Sequence, residues 1–147
     1  IQTLETGTIL YSLVPGLFAF TDTVPLQSGA GSLLLSQAIT PTAIGTVIDI
    51  KAYLPLCNVN NGAIIAALFI DAVDAAIAVS SVLESNNLGF HYLVLHHRYL
   101  AIDTVTHTFK IYVGCSAAGG IEVNGRGGAR LFGGVSRASL CVQETRA

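Results

Sequence analysis

Apolar and polar positions alternate most cleanly between Thr106 and Gly114, where Phe109, Ile111 and Val113 share one face and Thr108, Lys110 and Tyr112 share the other. A period of two marks a strand with one face in a core, so Phe109 is an expected core residue. From Thr46 to Lys51 the same rule sets Val47, Asp49 and Lys51 against Thr46, Ile48 and Ile50. Ala63 to Ile70 is nearly all apolar and fits either a strand buried on both faces or a helical segment; Ile64, Ile65, Phe69 and Ile70 favour the strand. Gly, Pro, Asn and Ser punctuate the rest, which predicts strands over residues 8–14, 33–37, 46–56, 63–71, 75–82, 90–100, 106–114, 121–123 and 139–145. The alanine-rich stretch 72–78 suits a helix by propensity, yet Asp71-Ala72-Val73-Asp74 lies between strand-like runs and reads as a hairpin tip. Turns are expected at 86–89, 117–120 and 124–128, and Phe132, just before a Gly-Gly pair, is a second expected core residue. Short strands with no room for a long helix predict an all-β fold: an antiparallel two-sheet sandwich, with a jelly roll as the default.

Composition adds a constraint on surfaces. The 147 residues suit one domain with one core, residues 1–147. Charged residues make up only 11% of the chain and hydrophobic ones 52%, against roughly 25% charged in an ordinary soluble domain. A monomer so poor in charge leaves neutral or apolar surface facing water, and a membrane or a partner subunit is needed to cover it. The longest apolar run, Ala63 to Ile70, is far short of the roughly 20 residues a spanning helix requires, so a homo-oligomer is expected and membrane insertion is not. Net charge is −2, and Arg126, Arg130, Arg137 and Arg146 are scattered rather than clustered, which argues against a nucleic-acid partner. Cys57, Cys115 and Cys141 are odd in number and lack C-x-x-C spacing, unlike a disulfide framework or a zinc site; they read as small buried hydrophobes. The opening Ile1-Gln2-Thr3-Leu4-Glu5 has neither a starting Met nor the basic-then-apolar order of a signal peptide. It is expected to be a cut point, the chain being a C-terminal fragment of something longer.

Four segments, in their order, carry a family resemblance. They are Gln37-Ala38-Ile39-Thr40-Pro41, Ala67-Leu68-Phe69-Ile70-Asp71, Thr108-Phe109-Lys110-Ile111-Tyr112-Val113-Gly114, and the stretch from Val123-Asn124-Gly125 through Phe132-Gly133-Gly134 to Ser139-Leu140-Cys141-Val142-Gln143-Glu144. From Gln37 onward the chain resembles the C-terminal domain of tailed-bacteriophage tail fibres and related virion appendage proteins. That resemblance implies a jelly roll like those of the tumour-necrosis-factor and C1q domains, homotrimeric and displayed at the fibre tip. Cys115, Cys141 and the His96-His97-Arg98 cluster depart from the pattern and leave the ligand's identity open.

Candidate chemistry is sparse. On a strand over 90–100, His91, Leu93, Leu95, His97 and Tyr99 share one face while Tyr92, Val94, His96 and Arg98 share the other, so His96 and His97 do not converge within a subunit. One histidine per subunit on a three-fold axis would offer three imidazoles to a metal, but a hydrogen-bonded or exposed histidine is the better reading. Asp71 and Asp74 alone among the carboxylates are close enough in sequence to suggest a hydrolytic pair, and at a loop tip they read more simply as solvated turn residues. No G-x-S-x-G elbow occurs, and the glycines at 119–120 and 125–128 lack the lysine and helix of a phosphate loop. The richest polar loops hold Asn58 to Asn61, Ser85 to Asn87 and Asn124 to Arg126. Amides and guanidinium forks suit sugar hydroxyls and acidic groups, which makes Asn60, Asn61, Asn87 and Arg126 the expected ligand-binding residues.

These observations lead to a binding module without catalytic or metal residues and without a cofactor. The expected role is the distal receptor-binding domain of a phage tail fibre, at the virion's extracellular tip. Its partners would be its own copies, other virion tail proteins, and a bacterial surface glycan or protein. Two alternatives remain open: a structural capsid, decoration or head-fibre jelly roll with no host contact, and a polysaccharide-degrading enzyme with its site at a subunit boundary.

Overall fold

A computed structural model describes residues 2–145; Ile1, expected as a cut point, and Arg146 lie outside them. In chain order the strands are β1 (Thr3–Thr8), β2 (Ser12–Val14), β3 (Ser32–Ile39), β4 (Val47–Asn58), β5 (Gly62–Ile70), β6 (Ala78–Glu84), β7 (Phe90–Leu100), β8 (His107–Cys115), β9 (Ile121–Val123), β10 (Gly125–Arg126), β11 (Ala129–Arg130) and β12 (Ala138–Thr145). A 3₁₀ turn, Phe132–Gly134, precedes β12. One sheet runs β1-β12-β4-β7, with β9 and β2 continuing beside the far end of β4; the other runs β3-β8-β5-β6. Every pairing within the two sheets is antiparallel. The chain crosses between sheets from β2 to β3, β3 to β4, β4 to β5, β6 to β7, β7 to β8 and β8 to β9, so most partners in a sheet are distant in sequence, and this order of antiparallel pairs is a jelly roll.

β4 is the spine of the first sheet. Along one edge it pairs with β7 from Val47↔Leu100 to Cys57↔Phe90. Along the other it pairs with β12 over Val47 to Tyr53, then with β9 over Leu56 to Asn58. Pro55 falls in the changeover, where its missing N–H interrupts no ladder bond, and its carbonyl accepts the Asn124 N–H at 3.0 Å.

The expected alternation holds where it was clearest. Ile48, Ile50, Ala52, Leu54 and Leu56 of β4 face Phe109, Ile111 and Val113 of β8 in the main core, joined by Leu140 and Val142 of β12. β5 settles the helix-or-strand ambiguity: Ile64, Ala66, Leu68 and Ile70 enter the main core, while Ala63, Ile65, Ala67 and Phe69 form a second cluster on the sheet's outer face under Phe18. Phe18 comes from the segment joining β2 to β3. Its ring lies against Gly31 and Gly114, where an added Cβ would meet it at 2.2 and 2.9 Å. That segment is a strap, and it makes β5 apolar on both sides.

Three expectations fail. Residues 8–14 are not one strand: β1 ends at Thr8 and β2 begins at Ser12, the two pairing with different partners, β12 and β9. The buried Asn124 donates from Nδ2 to the carbonyls of Thr8 (2.8 Å) and Leu10 (3.0 Å), holding the kink between them. Strand β6 starts at Ala78, not residue 75, because Ala75 instead bridges Leu26 of the strap. Phe132 is not core; at 62% exposure and φ 54° it starts the 3₁₀ turn and forms an edge-type ring pair with Phe90, with centroids 6.3 Å apart.

Candidate functional site

The loops from β4 to β5, β6 to β7 and β8 to β9 emerge at one end of the sandwich, because antiparallel strands alternate their ends, and after the three residues of β9 the chain turns at Asn124 (φ 58°) so that the β10–β11 ribbon comes back to the same end, Gly127 and Gly128 bonding Glu122 and Arg126 bonding Leu88. Asn58, fully buried at the last position of β4, is the hub. Its Oδ1 accepts the Gly89 N–H at 2.7 Å, its Nδ2 donates to the Asn86 carbonyl at 3.0 Å, and its own carbonyl accepts the Leu88 N–H at 3.0 Å. A buried amide with these partners ties the β6–β7 loop to the spine of the first sheet.

The four expected binding residues are gathered at this end, and all four are exposed. Asn87 Oδ1 accepts the Asn61 N–H at 2.8 Å, Asn60 Nδ2 donates to the Ala118 carbonyl at 2.5 Å, and Arg126 Nε donates to the Leu88 carbonyl at 2.6 Å. Each bond joins two different loops. One polar group of each residue or its backbone is spent on bracing, while the Asn61 amide, Asn87 Nδ2 and the terminal guanidinium nitrogens of Arg126 make no hydrogen bond among the described residues.

Glu122 carries the same end from below, and no sequence signal marked it. Only 3% exposed, it accepts the Tyr11 hydroxyl (2.8 Å) and the N–H groups of Gly127 (2.8 Å) and Gly128 (2.5 Å). Burial alone would raise its carboxyl pKa, but the Gly128 N–H, the Tyr11 hydroxyl and the Gly127 N–H together hold it below the usual range. Burial first, and then the Glu122 charge, push the neighbouring Cys57 thiol up to about 11. Cys57 and Cys115 are buried free thiols as expected, whereas Cys141 is only half-buried.

The opposite end holds the residues that had suggested hydrolysis. Asp71 and Asp74 do sit in the β5–β6 connection, but Asp71 is no simple solvated turn residue. His107, only 7% exposed, lies with Nδ1 2.7 Å from Asp71 Oδ2 and Nε2 3.0 Å from Asp103 Oδ1, and its protonated ring donates to both carboxylates. The remaining Asp71 oxygen accepts the Thr108 N–H at 2.7 Å. Asp74 accepts the N–H (2.6 Å) and hydroxyl (2.9 Å) of Ser28. Both ring nitrogens face carboxylates on neighbouring loops, so this cluster fastens loops. The hydrogen bond to Asp71 is the main cause that raises the His107 pKa.

The other histidines lie on β7. His91 pairs with Glu84 at 2.8 Å and His96 with Asp49 at 2.5 Å. His97 faces the opposite way to His96, and burial lowers its pKa, helped by the His96 charge. Among the described residues no group of three or more His, Cys, Asp or Glu is arranged to hold a metal ion, and no helix is long and apolar enough to cross a membrane.

No family model matches the sequence, and no curated protein matches it. Among solved structures, the C-terminal domain of EclA, described as a sugar-binding protein, aligns with a TM-score of 0.40 at 10% identity over 86% of this chain and 78% of that one. A structure of infectious bursal disease virus, Gx strain, aligns with a TM-score of 0.37 at 14% identity, covering 100% of this chain and 38% of that one. This chain is thus similar in outline to a sugar-binding domain and to little more than a third of a viral chain, at a level that carries no argument about activity.

Proposed function

We propose that this jelly roll is a non-catalytic binding module that attaches a virion to its host, acting as the distal domain of a trimeric phage tail fibre in the extracellular space. The observation that carries the reading is the cross-bracing of exposed Asn60, Asn61, Asn87 and Arg126 by hydrogen bonds between loops at one end. Binding sites commonly sit on loops held by a rigid scaffold, and pre-ordered loops lose less entropy when a ligand arrives. The unspent amide and guanidinium groups suit sugar hydroxyls or acidic groups on a bacterial glycan or protein. Motif order supports the tail-fibre assignment, and charge poverty supports association with other copies and with other tail proteins.

The test is attachment of the purified chain to host cells and to a glycan array. Changing Asn61, Asn87 or Arg126 to Ala is expected to weaken attachment about thirtyfold, the effect of losing a hot spot of about 2 kcal/mol. Parent-like attachment by every variant would defeat the loop assignment. One observation favours a second reading, a structural capsid, decoration or head-fibre jelly roll: Asn60, Asn87 and Arg126 each already spend a polar group on a neighbouring loop. That reading requires assembly to fail in the variants while host attachment is never detected.

A further inference from the structure

Three aromatic rings meet where the outer face of the first sheet reaches the loop end. Phe90 and Tyr92 lie on the outward row of β7, alternating with the buried Leu93 and Leu95, and Phe132 reaches them from the turn before β12. Phe90 forms edge-type pairs with both, at centroid distances of 5.5 Å to Tyr92 and 6.3 Å to Phe132. The Tyr92 hydroxyl lies 3.0 Å from that of the buried Ser136, which orients its ring. Even so, Tyr92 is 57% and Phe132 62% exposed. Phe132 also holds φ 54°, where a bulky side chain is strained, while the next two left-handed positions are Gly133 and Gly134, which adopt that conformation freely. A phenylalanine held there outside the core contributes little to folding, and strained residues gather at ligand sites.

Charge around the rings is one-sided. Between Glu122 and Glu144 the chain holds Arg126, Arg130 and Arg137 and no Asp, Glu or Lys. Arg137 pairs with Glu5 at 3.4 Å, and Arg126 gives Nε to the carbonyl of Leu88, two residues before Phe90. Arg130 is exposed and makes no hydrogen bond or ion pair among the described residues. Its guanidinium lies beside the Phe132 turn, where a Cβ on Gly134 would meet Nη1 at 2.8 Å. The carboxylates of Glu84 and Glu122 at this end are engaged elsewhere, the first by His91 and the second by Tyr11, Gly127 and Gly128.

We propose that Phe90, Tyr92 and Phe132 form a stacking shelf for a pyranose ring that carries a carboxylate, and that Arg130 binds that carboxylate. The face of an aromatic ring is electron-rich and attracts the C–H groups of a sugar, which the neighbouring oxygens polarise. A guanidinium fork matches a carboxylate with two parallel hydrogen bonds. Other occupants satisfy only half of the site. A cationic group suits aromatic rings but is repelled by Arg126 and Arg130, and an apolar side chain suits the rings but buries a guanidinium without a partner. A nucleic acid stacks as well but needs a continuing track of cations, and further along β7 the same row holds Val94 and then His96, which is paired with Asp49. The proposal rests on the host-attachment reading above and names its ligand class, an acidic surface polysaccharide.

Saturation-transfer NMR on the full chain tests it, with the methyl glycosides of glucuronic and galacturonic acid as probes against those of glucose and galactose. Transfer to the sugar ring protons is expected, with at least one acid bound about tenfold more tightly than its neutral counterpart. Phe132→Ala is expected to lose at least about tenfold in affinity with an unchanged melting temperature, Phe132→Tyr, which keeps the ring, to bind like the parent, and Arg130→Gln to bring the acid down to the neutral sugar's affinity. No transfer to any probe, or transfer that Phe132→Ala leaves intact, overturns the shelf. Equal binding of acid and neutral sugar, unchanged in Arg130→Gln, overturns the acidic ligand. Host-cell attachment judges the underlying reading separately. Cells that hold the parent and Phe132→Ala alike leave attachment standing without the shelf, and sugar binding by a chain that attaches to no host cell leaves the shelf standing without attachment. Attachment that requires Phe132 yet survives periodate oxidation of the cells' sugars makes the ligand a protein and overturns the sugar.

Discussion

The outer faces of the two sheets obey opposite rules. On the first sheet, rows of cross-strand neighbours run Gln143–Asp49–Arg98 and Cys141–Lys51–His96, with Asp49 pairing with both Lys51 (3.3 Å) and His96 (2.5 Å), and no strap crosses them. On the second sheet the equivalent positions of β5 are Ala63, Ile65, Ala67 and Phe69, which are buried under Phe18 of the strap. The alternating strands β4 and β7 therefore display period two, while β5 is apolar throughout. Charge is sparser on the second side, where Lys110 of β8 is held by Gln27 of the strap at 2.8 Å and Asp22 is the strap's one charged residue.

The largest effect should come from uncovering the second face. Phe18→Ala is expected to cost about 3–5 kcal/mol, as much as Phe109→Ala in the main core, since both rings are buried. Urea unfolding measures both. A Phe18 variant with a parent-like midpoint would mean that the strap merely rests on β5, and the contrast between the faces would collapse.

Next in size is the His107 cluster that fastens the β5–β6 connection. His107→Gln leaves two carboxylates without their donor and should cost about 1–3 kcal/mol near neutral pH. The sign follows from the shifts: the folded-state pKa of His107 is raised, so its contribution is complete below the unfolded value of about 6.5 and is lost as pH rises through the folded one. The folded-state pKa of Asp71 is lowered, against the opposing effect of burial, by His107 and the Thr108 N–H, so its contribution is complete above about 3.9 and disappears as pH falls through the folded value. The melting-temperature gap between parent and variant should therefore be widest from about pH 4 to 6.5. A gap that widens above pH 8 contradicts the ion pairing.

The smallest effect belongs to the open face of the first sheet. His96→Ala and Lys51→Ala should each change stability by no more than about 1 kcal/mol, and less in high salt, because both pairs with Asp49 are exposed on the basic side. Phe132→Ala, at an exposed turn, should stay within about 0.5 kcal/mol. A larger loss at any of these positions would show that something covers this face in solution, and the two faces would then be more alike than their charges suggest.

Much of the framework was legible in the residues. β4, β7 and β8 could be read from alternation, because one face of each is wet and the other dry, and β9 and β12 from turn punctuation around short runs. The binding candidates were found by residue type alone, which works because amides and arginine in turns are exposed wherever the turns lie. What residue type could not supply is their convergence, which depends on the hub at Asn58 reaching Asn86 and Gly89 about thirty positions away. Glu122 was unmarked for the same reason. Its partners Tyr11, Gly127 and Gly128 become neighbours only when β2, β9 and the β10–β11 ribbon assemble, and a lone glutamate in a short run gives no local sign of burial.

The sequence by itself determined an all-β chain of short strands, the inward positions of the alternating ones, and a composition poor in charge. These are local properties of period, turn chemistry and composition. Only the tertiary structure decided that residues 8–14 break at the Asn124 amide, that Phe132 turns outward, that a strap shields one side of β5, and that four candidate residues share one end. Each of those depends on contacts between residues far apart in the chain, and the free energy of such a contact exists only once the jelly roll has closed.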